Sequence, residues 1–144
     1  MNGQAVVAEA RAWIGTPYVH QASVKGVGCD CLGLLRGCWR AAMGAEPVSV
    51  PAYTPDWSEP QGVELLWQAA RAHLVACDDR PAQGGDVILF RMRSGSVAKH
   101  VGIIASTQPA TFIHAYSGHG VVESPLSEPW QRRIVARFTM HQGA

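Results

Sequence analysis

The order of apolar and polar positions predicts helices in the first half of the chain. The first helix spans about residues 4–14 and stops at Gly15, which is followed two residues later by a proline. Its apolar face consists of Val6, Ala10, Trp13 and Ile14. Residues 15–30 are rich in glycine and polar residues, so they are predicted to form a long loop.

A second helix is predicted to begin at Cys31 and to end at Gly44. Asp30 suits its N-cap position, because a carboxylate there accepts hydrogen bonds from backbone N–H groups that have no helical partner. Glycine disfavours a helix, so Gly33 and Gly37 indicate close packing against a neighbouring element. The apolar stripe of this helix comprises Cys31, Leu35, Cys38, Trp39 and Ala42.

The second half of the chain changes from a helical to a strand pattern. A proline-rich connector over residues 45–60 leads to a third predicted helix, marked by Val63, Leu66, Trp67 and Ala70. Beyond Asp79, strands are predicted at residues 86–92, 100–105, 111–116, 121–124 and 132–138. Helices packed on an antiparallel sheet of about five strands predict an α+β fold, in a single domain over residues 1–144.

Composition narrows the possible classes of function. The chain has 144 residues, of which 47% are hydrophobic and 16% are charged, so a sizeable core can form. The formal net charge of +1 gives no electrostatic basis for binding nucleic acid or an anionic membrane. No apolar run reaches the length needed to span a bilayer. The first residues lack the features of a secretory signal peptide, so we expect synthesis in the cytoplasm as a soluble product.

The cysteines allow three interpretations. Two disulfides are conceivable, but free thiols are favoured in a chain without a secretion signal. Cys29 and Cys31 could also bind zinc together with His20 or His100. The paired Cys-x-x-Cys elements that are typical of structural zinc sites do not occur, however, so no metal is predicted. The four cysteines are Cys29, Cys31, Cys38 and Cys77.

Cys31 is the cysteine best placed to react. An unperturbed thiol has a pKa of about 8.5, and the N-terminal end of a helix favours the thiolate. Cys38 lies further along the same helix, and Cys77 is predicted near the end of a helix, where the helix dipole has the opposite effect. The competing interpretation of Cys31 is a small buried residue at a helix start.

Two histidines are candidates for the base that a thiol nucleophile needs. His100 begins one predicted strand, and His114 lies in the next strand on the face that also carries Phe112 and Tyr116. If the two strands pair as a hairpin, the two imidazoles can meet on one face of the sheet. A single histidine in a strand is more often structural, so spacing alone leaves both interpretations open.

Five short motifs resemble, in order, those of the NlpC-type peptidases, which are papain-like cysteine peptidases of bacterial cell walls. Together they extend over nearly the whole chain, which makes the resemblance more specific than any one motif. Residues 20–34 resemble in particular the branch found in tailed phages and gene transfer agents. The motifs are GTPY at 15–18, DCLGL at 30–34, GDVILF at 85–90, HVGI at 100–103 and FIHA at 112–115.

The resemblance implies a role for each candidate residue. Cys31 is the implied nucleophile, His100 the general base and His114 the residue that orients His100. Tyr18 is implied to hold the oxyanion or the substrate. Asp30 and His20 are further candidates for the oxyanion and substrate-binding site, although His20 also fits a solvated position. The chain departs from the common pattern at Leu32, where serine is usual, and at residues 19–21, where a glycine pair is common.

The resemblance also implies a substrate and a biological setting. The expected reaction is hydrolysis of the amide between D-glutamate and a diamino acid in peptidoglycan stem peptides, with no metal or organic cofactor. The expected setting is a phage-like tail tip that opens the wall of the target cell for DNA delivery, with tail-tip or hub proteins as partners. No direct contact with nucleic acid and no membrane insertion are expected. A structural tail or hub protein, and an amidase or acyltransferase on the same scaffold, remain alternatives.

Overall fold

The computed structural model describes residues 2–47, 53–55, 57 and 62–140. Much of the predicted proline-rich connector lies outside these residues. The helices are α1 (Gly3–Ala12), α2 (Cys31–Met43), α3 (Leu65–His73) and α4 (Glu128–Gln131). The strands are β1 (Ser23–Val24), β2 (Gly28–Cys29), β3 (Val75–Ala76), β4 (Val87–Arg91), β5 (Ala98–Thr107), β6 (Ala110–Tyr116), β7 (Gly120–Pro125) and β8 (Ile134–Thr139). Helices α1 to α3 precede the long strands, which confirms the α+β fold.

Six strands form one antiparallel sheet in the order β3-β8-β4-β5-β6-β7. The sequence predicts five of them and misses β3, a two-residue strand that pairs with β8 through Val75 and Ala76. Cys77 therefore follows a strand, and the prediction that it lies near the end of a helix is wrong. The sequence before Cys77 has a helical pattern because α3 continues to His73, only a few residues before it.

The predicted loop over residues 15–30 contains a small two-stranded ribbon. Strands β1 and β2 pair antiparallel, with Ser23 opposite Cys29, and Tyr18 forms a further bridge with Cys29. Two-residue strands leave no alternating pattern in a sequence, which explains why this ribbon was not predicted. The ribbon matters for the site because Asp30 and α2 follow directly after β2.

The long sheet is buried on both sides, and β4 shows this most clearly. Val87 and Leu89 belong to the main core, which also contains Leu34 of α2. Ile88 and Phe90 belong to a second core on the other side of the sheet, against which Trp130 of α4 packs. Because successive side chains of a strand point to opposite faces, a strand with two covered faces is a continuous apolar run.

Close packing of α2 matches the prediction made from its glycines. A Cβ at Gly37 would lie 2.0 Å from the Trp13 indole of the preceding segment, and one at Gly33 would lie 1.8 Å from the carbonyl oxygen of Ala22. Ile14, in contrast, is 45% exposed, because α1 ends at Ala12 and the chain leaves the helical path before it. None of the described helices is long and apolar enough to cross a membrane.

Candidate active site

The start of α2 holds Cys31 at the floor of a cleft. Asp30 is the N-cap as predicted, and its Oδ1 accepts a hydrogen bond of 2.7 Å from the backbone N–H of Gly33. Cys31 is the first helical residue and is 7% exposed. The cleft has a volume of about 130 Å³, and both Cys31 and His100 line it. The fold thus brings the predicted nucleophile and base to one cavity from positions far apart in the sequence.

His100 and His114 meet on neighbouring strands, as the hairpin argument predicts. His100 on β5 and His114 on β6 are joined by a hydrogen bond of 2.8 Å between Nε2 of His100 and Nδ1 of His114. The second nitrogen of His114, Nε2, lies 3.0 Å from Oγ of Ser124 on β7. Gly102 on β5 leaves room for the side chains of β6, because a Cβ there would lie 2.8 Å from the ring of Phe112 and 3.5 Å from Cβ of His114.

Aromatic side chains enclose the histidine pair. The Trp130 ring centroid lies 5.8 Å from that of His100 and 5.2 Å from that of His114, and the Phe112 ring lies 4.1 Å from His114. Removal of water disfavours the charged imidazolium, so burial lowers the pKa of His100 to about 3. Burial is the main cause that lowers the pKa of His114 to about 4, and the nearby His119 adds to the effect. Both histidines are therefore neutral near pH 7.

The Cys31 thiol is also neutral in the resting protein. Burial, and then the Asp30 carboxylate, raise its pKa to about 12. Backbone N–H groups of Val101, Leu32 and Cys31 itself act in the opposite direction, but burial is the larger effect. The helix start therefore favours the thiolate, as expected, but burial and Asp30 outweigh it, and the reactivity of Cys31 stays a prediction. The same N–H groups are nevertheless in place to stabilise negative charge when it develops near the sulfur.

Asp30 is the centre of a polar cluster that lines the cleft. Its Oδ2 accepts hydrogen bonds from the backbone N–H of Gln21, at 2.7 Å, and from the hydroxyl of Tyr53. The carbonyl of Tyr53 accepts in turn from Nε2 of His20 at 2.9 Å, and Nδ1 of His20 lies 3.7 Å from the Asp30 carboxylate. His20 is thus partly exposed and lines the cleft, and its role in substrate binding stays a prediction.

Tyr53 is a site residue that the sequence analysis missed. It belongs to the proline-rich connector and stacks on Trp57, with ring centroids 4.2 Å apart. Both rings line the cleft. The connector offers no periodic pattern, and Tyr53 lies 23 residues from Asp30, so only the folded chain reveals the contact.

Tyr18 lines the same cleft and presents a protonated hydroxyl. Burial is the main cause that raises its pKa to about 12, and the neighbouring Cys31, Asp30 and Cys29 add to the effect. A phenol that stays protonated can donate a hydrogen bond to a substrate oxygen. The position therefore agrees with the predicted role of Tyr18, which stays a prediction.

Disulfide formation and metal binding are the alternative chemistries of the cysteines. All four cysteines are free thiols and all are buried. Within the residues that the structure describes, no group of three or more His, Cys, Asp or Glu side chains is arranged to hold a metal ion. Cys31 shares its cleft with His100, which is hydrogen-bonded to His114.

Comparison with known proteins agrees with the fold and the motifs. The NlpC/P60 family model matches residues 15–139, so the chain belongs to the NlpC/P60 family. The predicted family is therefore confirmed, whereas the phage-tail branch stays a prediction. Among solved structures, the crystal structure of the NlpC/p60 domain of the peptidoglycan hydrolase SagA superposes with a TM-score of 0.63 at 25% identity, covering 97% of this chain and 100% of that one.

Two curated relatives are similar over most of this chain. The murein DD-endopeptidase MepS/murein LD-carboxypeptidase of Escherichia coli O157:H7 is 31% identical over 122 residues, which are 84% of this chain and 54% of that protein. The gamma-DL-glutamyl hydrolase of Bacillus subtilis (strain 168) is 32% identical over 136 residues, 92% of this chain and 29% of that protein. The chain thus spans about half or less of the length of these relatives.

Proposed function

We propose that the chain is a cysteine peptidase that hydrolyses amide bonds in the stem peptides of peptidoglycan. The observation that carries this proposal is the cleft that Cys31 and His100 share, with His114 bonded to His100 at 2.8 Å. Membership of the NlpC/P60 family and the names of the relatives, which include a murein endopeptidase and a glutamyl hydrolase, support the substrate class.

The proposed mechanism begins from neutral groups. As substrate binds, His100 takes the proton of the Cys31 thiol while the sulfur attacks the carbonyl carbon, so no thiolate needs to exist beforehand. The backbone N–H of Cys31 and the hydroxyl of Tyr18 donate to the developing oxyanion. Protonated His100 gives its proton to the leaving amine, and a water molecule, deprotonated by His100, releases the acyl group from the sulfur.

The bond that we propose is the amide between D-glutamate and the diamino acid of the stem. The Bacillus relative is named for a glutamyl bond, whereas the Escherichia coli relative is named for DD and LD bonds of murein. Purified peptidoglycan fragments, analysed by mass spectrometry after incubation, separate these cases because each bond gives products of different mass. Transfer of the acyl group to an added amine would indicate an acyltransferase instead, and cleavage between sugar and peptide would indicate an amidase.

Removal of the thiol tests the enzymatic role directly. We expect Cys31→Ala to abolish cleavage of stem peptides and to retain the fold, because alanine fills most of the space of a cysteine at a helix start. The matched control is Cys38→Ala, which removes a buried thiol from the same helix and should retain cleavage. Turnover by the Cys31 variant at the wild-type rate would contradict the proposal, and an inactive wild-type protein would favour the structural alternative.

We also propose that the chain acts as a component of a phage-like tail tip, with tail-tip or hub proteins as partners. The support is the resemblance of residues 20–34 to the phage and gene-transfer-agent branch. The chain would be made in the cytoplasm and carried to the wall of the target cell by the particle. Mass spectrometry of purified particles tests this: we expect the chain in the tail fraction, and its restriction to the soluble fraction of producing cells would contradict the setting.

A further inference from the structure

Three polar side chains form a row across three neighbouring strands. His100 lies on β5, His114 on β6 and Ser124 on β7, which is at the edge of the sheet. The two contacts in the row are 2.8 Å, from Nε2 of His100 to Nδ1 of His114, and 3.0 Å, from Nε2 of His114 to Oγ of Ser124. His114 is 1% exposed, whereas Ser124 is half-buried, so the row runs from the cleft to the edge strand of the sheet.

The directions of the two hydrogen bonds in this row depend on each other. A neutral imidazole carries one N–H donor and one acceptor nitrogen, and both histidines are held neutral by burial. If Ser124 accepts from Nε2 of His114, then Nδ1 of His114 must accept from Nε2 of His100. If Ser124 donates instead, both tautomers are reversed. The Ser124 hydroxyl can act either as the donor or as the acceptor in its hydrogen bond with His114.

Only one of these arrangements leaves His100 able to act as a base. Because Nε2 of His100 is engaged by His114, the nitrogen that remains for the cleft is Nδ1. When Ser124 accepts, Nδ1 of His100 is unprotonated and its lone pair can take the thiol proton of Cys31. When Ser124 donates, Nδ1 carries the hydrogen and cannot take it. The proposed mechanism needs the arrangement in which Ser124 accepts from Nε2 of His114, because only then can His100 take the thiol proton.

We propose that Ser124 is a positioning residue of this site: by accepting a hydrogen bond from His114, it sets the tautomer in which His100 can take the proton of Cys31. This inference rests on the proposed thiol mechanism and deepens it, because it extends the predicted set of three residues to a fourth that touches neither thiol nor substrate. His114 links the two residues: when its Nε2 donates to Ser124, its Nδ1 must accept from Nε2 of His100.

The test combines kinetics with the tautomers of ¹⁵N-labelled histidine. In wild type, NMR should find Nδ1 of His100 unprotonated and Nε2 protonated. Ser124→Ala removes the acceptor, so we expect a mixture of both His100 tautomers and a kcat about 3- to 10-fold lower, with KM nearly unchanged. Ser124→Thr keeps a hydroxyl on the same strand and should restore both the single tautomer and the kcat.

A matched control separates this role from general stability of the sheet. Ser106→Ala removes a hydroxyl from β5 at a position that pairs with Thr111, six residues beyond His100, and should change neither tautomer nor kcat. Unchanged His100 tautomers in Ser124→Ala would overturn the proposal, as would a kcat equal to that of wild type. If wild type cleaves no wall peptide, the proposed function fails, but the NMR comparison of the two Ser124 variants still decides the inference on Ser124.

Discussion

Cys31 illustrates how two local effects on one residue oppose each other. Its place at the first position of α2 gives it nearby N–H donors, which favour a thiolate. Its burial and the neighbouring Asp30 carboxylate favour the thiol more strongly, and they raise its pKa to about 12. In the proposed mechanism, the reactive form is therefore made when His100 removes the proton. A thiol that stays protonated is also less open to unspecific alkylation and oxidation than a thiolate.

The raised pKa predicts a characteristic pH dependence of alkylation. The rate at which iodoacetamide modifies Cys31 should increase with pH from 7 to 9 without a plateau, because the thiolate fraction rises about tenfold per unit below the pKa. Glutathione, a free thiol with an unperturbed pKa of about 8.5, serves as the control and should level off near pH 9. Mass spectrometry of the modified peptide measures the rate. A plateau below pH 7 would instead indicate a preformed thiolate.

At the scale of secondary-structure elements, the sequence predicted what is local and periodic. Helix α2 and its Asp30 cap could be predicted because the cap and the apolar stripe lie within one short stretch. Strand β3 and helix α4 were missed, because two and four residues are too short to show a period. Burial on both sides of β4 could be suspected from its apolar run, but nothing local indicates that α4 provides the second cover.

The same distinction applies to the candidate site. A helix start and a hairpin made Cys31, His100 and His114 candidates, and the resemblance of the ordered motifs implied their roles. Ser124 could have been found by extending the hairpin argument, since β6 and β7 pair in continuous register with Phe112 opposite Ser124. Tyr53 could not be found in this way, because it lies 23 residues from Asp30 and meets it only in the folded chain.

At the scale of the whole molecule, two buried neutral histidines couple folding to pH. In the unfolded chain His100 and His114 have an ordinary pKa of about 6.5, whereas burial lowers these values to about 3 and about 4 in the folded protein. Above pH 6.5 both residues are neutral in both states, so they do not make stability depend on pH. Below it the unfolded chain binds protons that the folded chain does not, and stability therefore falls as the pH falls.

We expect this coupling to dominate acid sensitivity between about pH 5 and 6.5. The free energy of unfolding should fall towards a limiting slope of about 1.4 kcal/mol per pH unit for each histidine. The ion-paired carboxylates, such as Glu46 and Glu123, have pKa values lowered from 4.5 and so add little in this range. Urea unfolding at several pH values measures the slope. His114→Gln should make it roughly half as steep, whatever its effect on stability at pH 7, whereas His73→Gln, a change in α3, should preserve the slope. A slope in His114→Gln equal to that of wild type would show that the buried pair is not what couples this fold to acid.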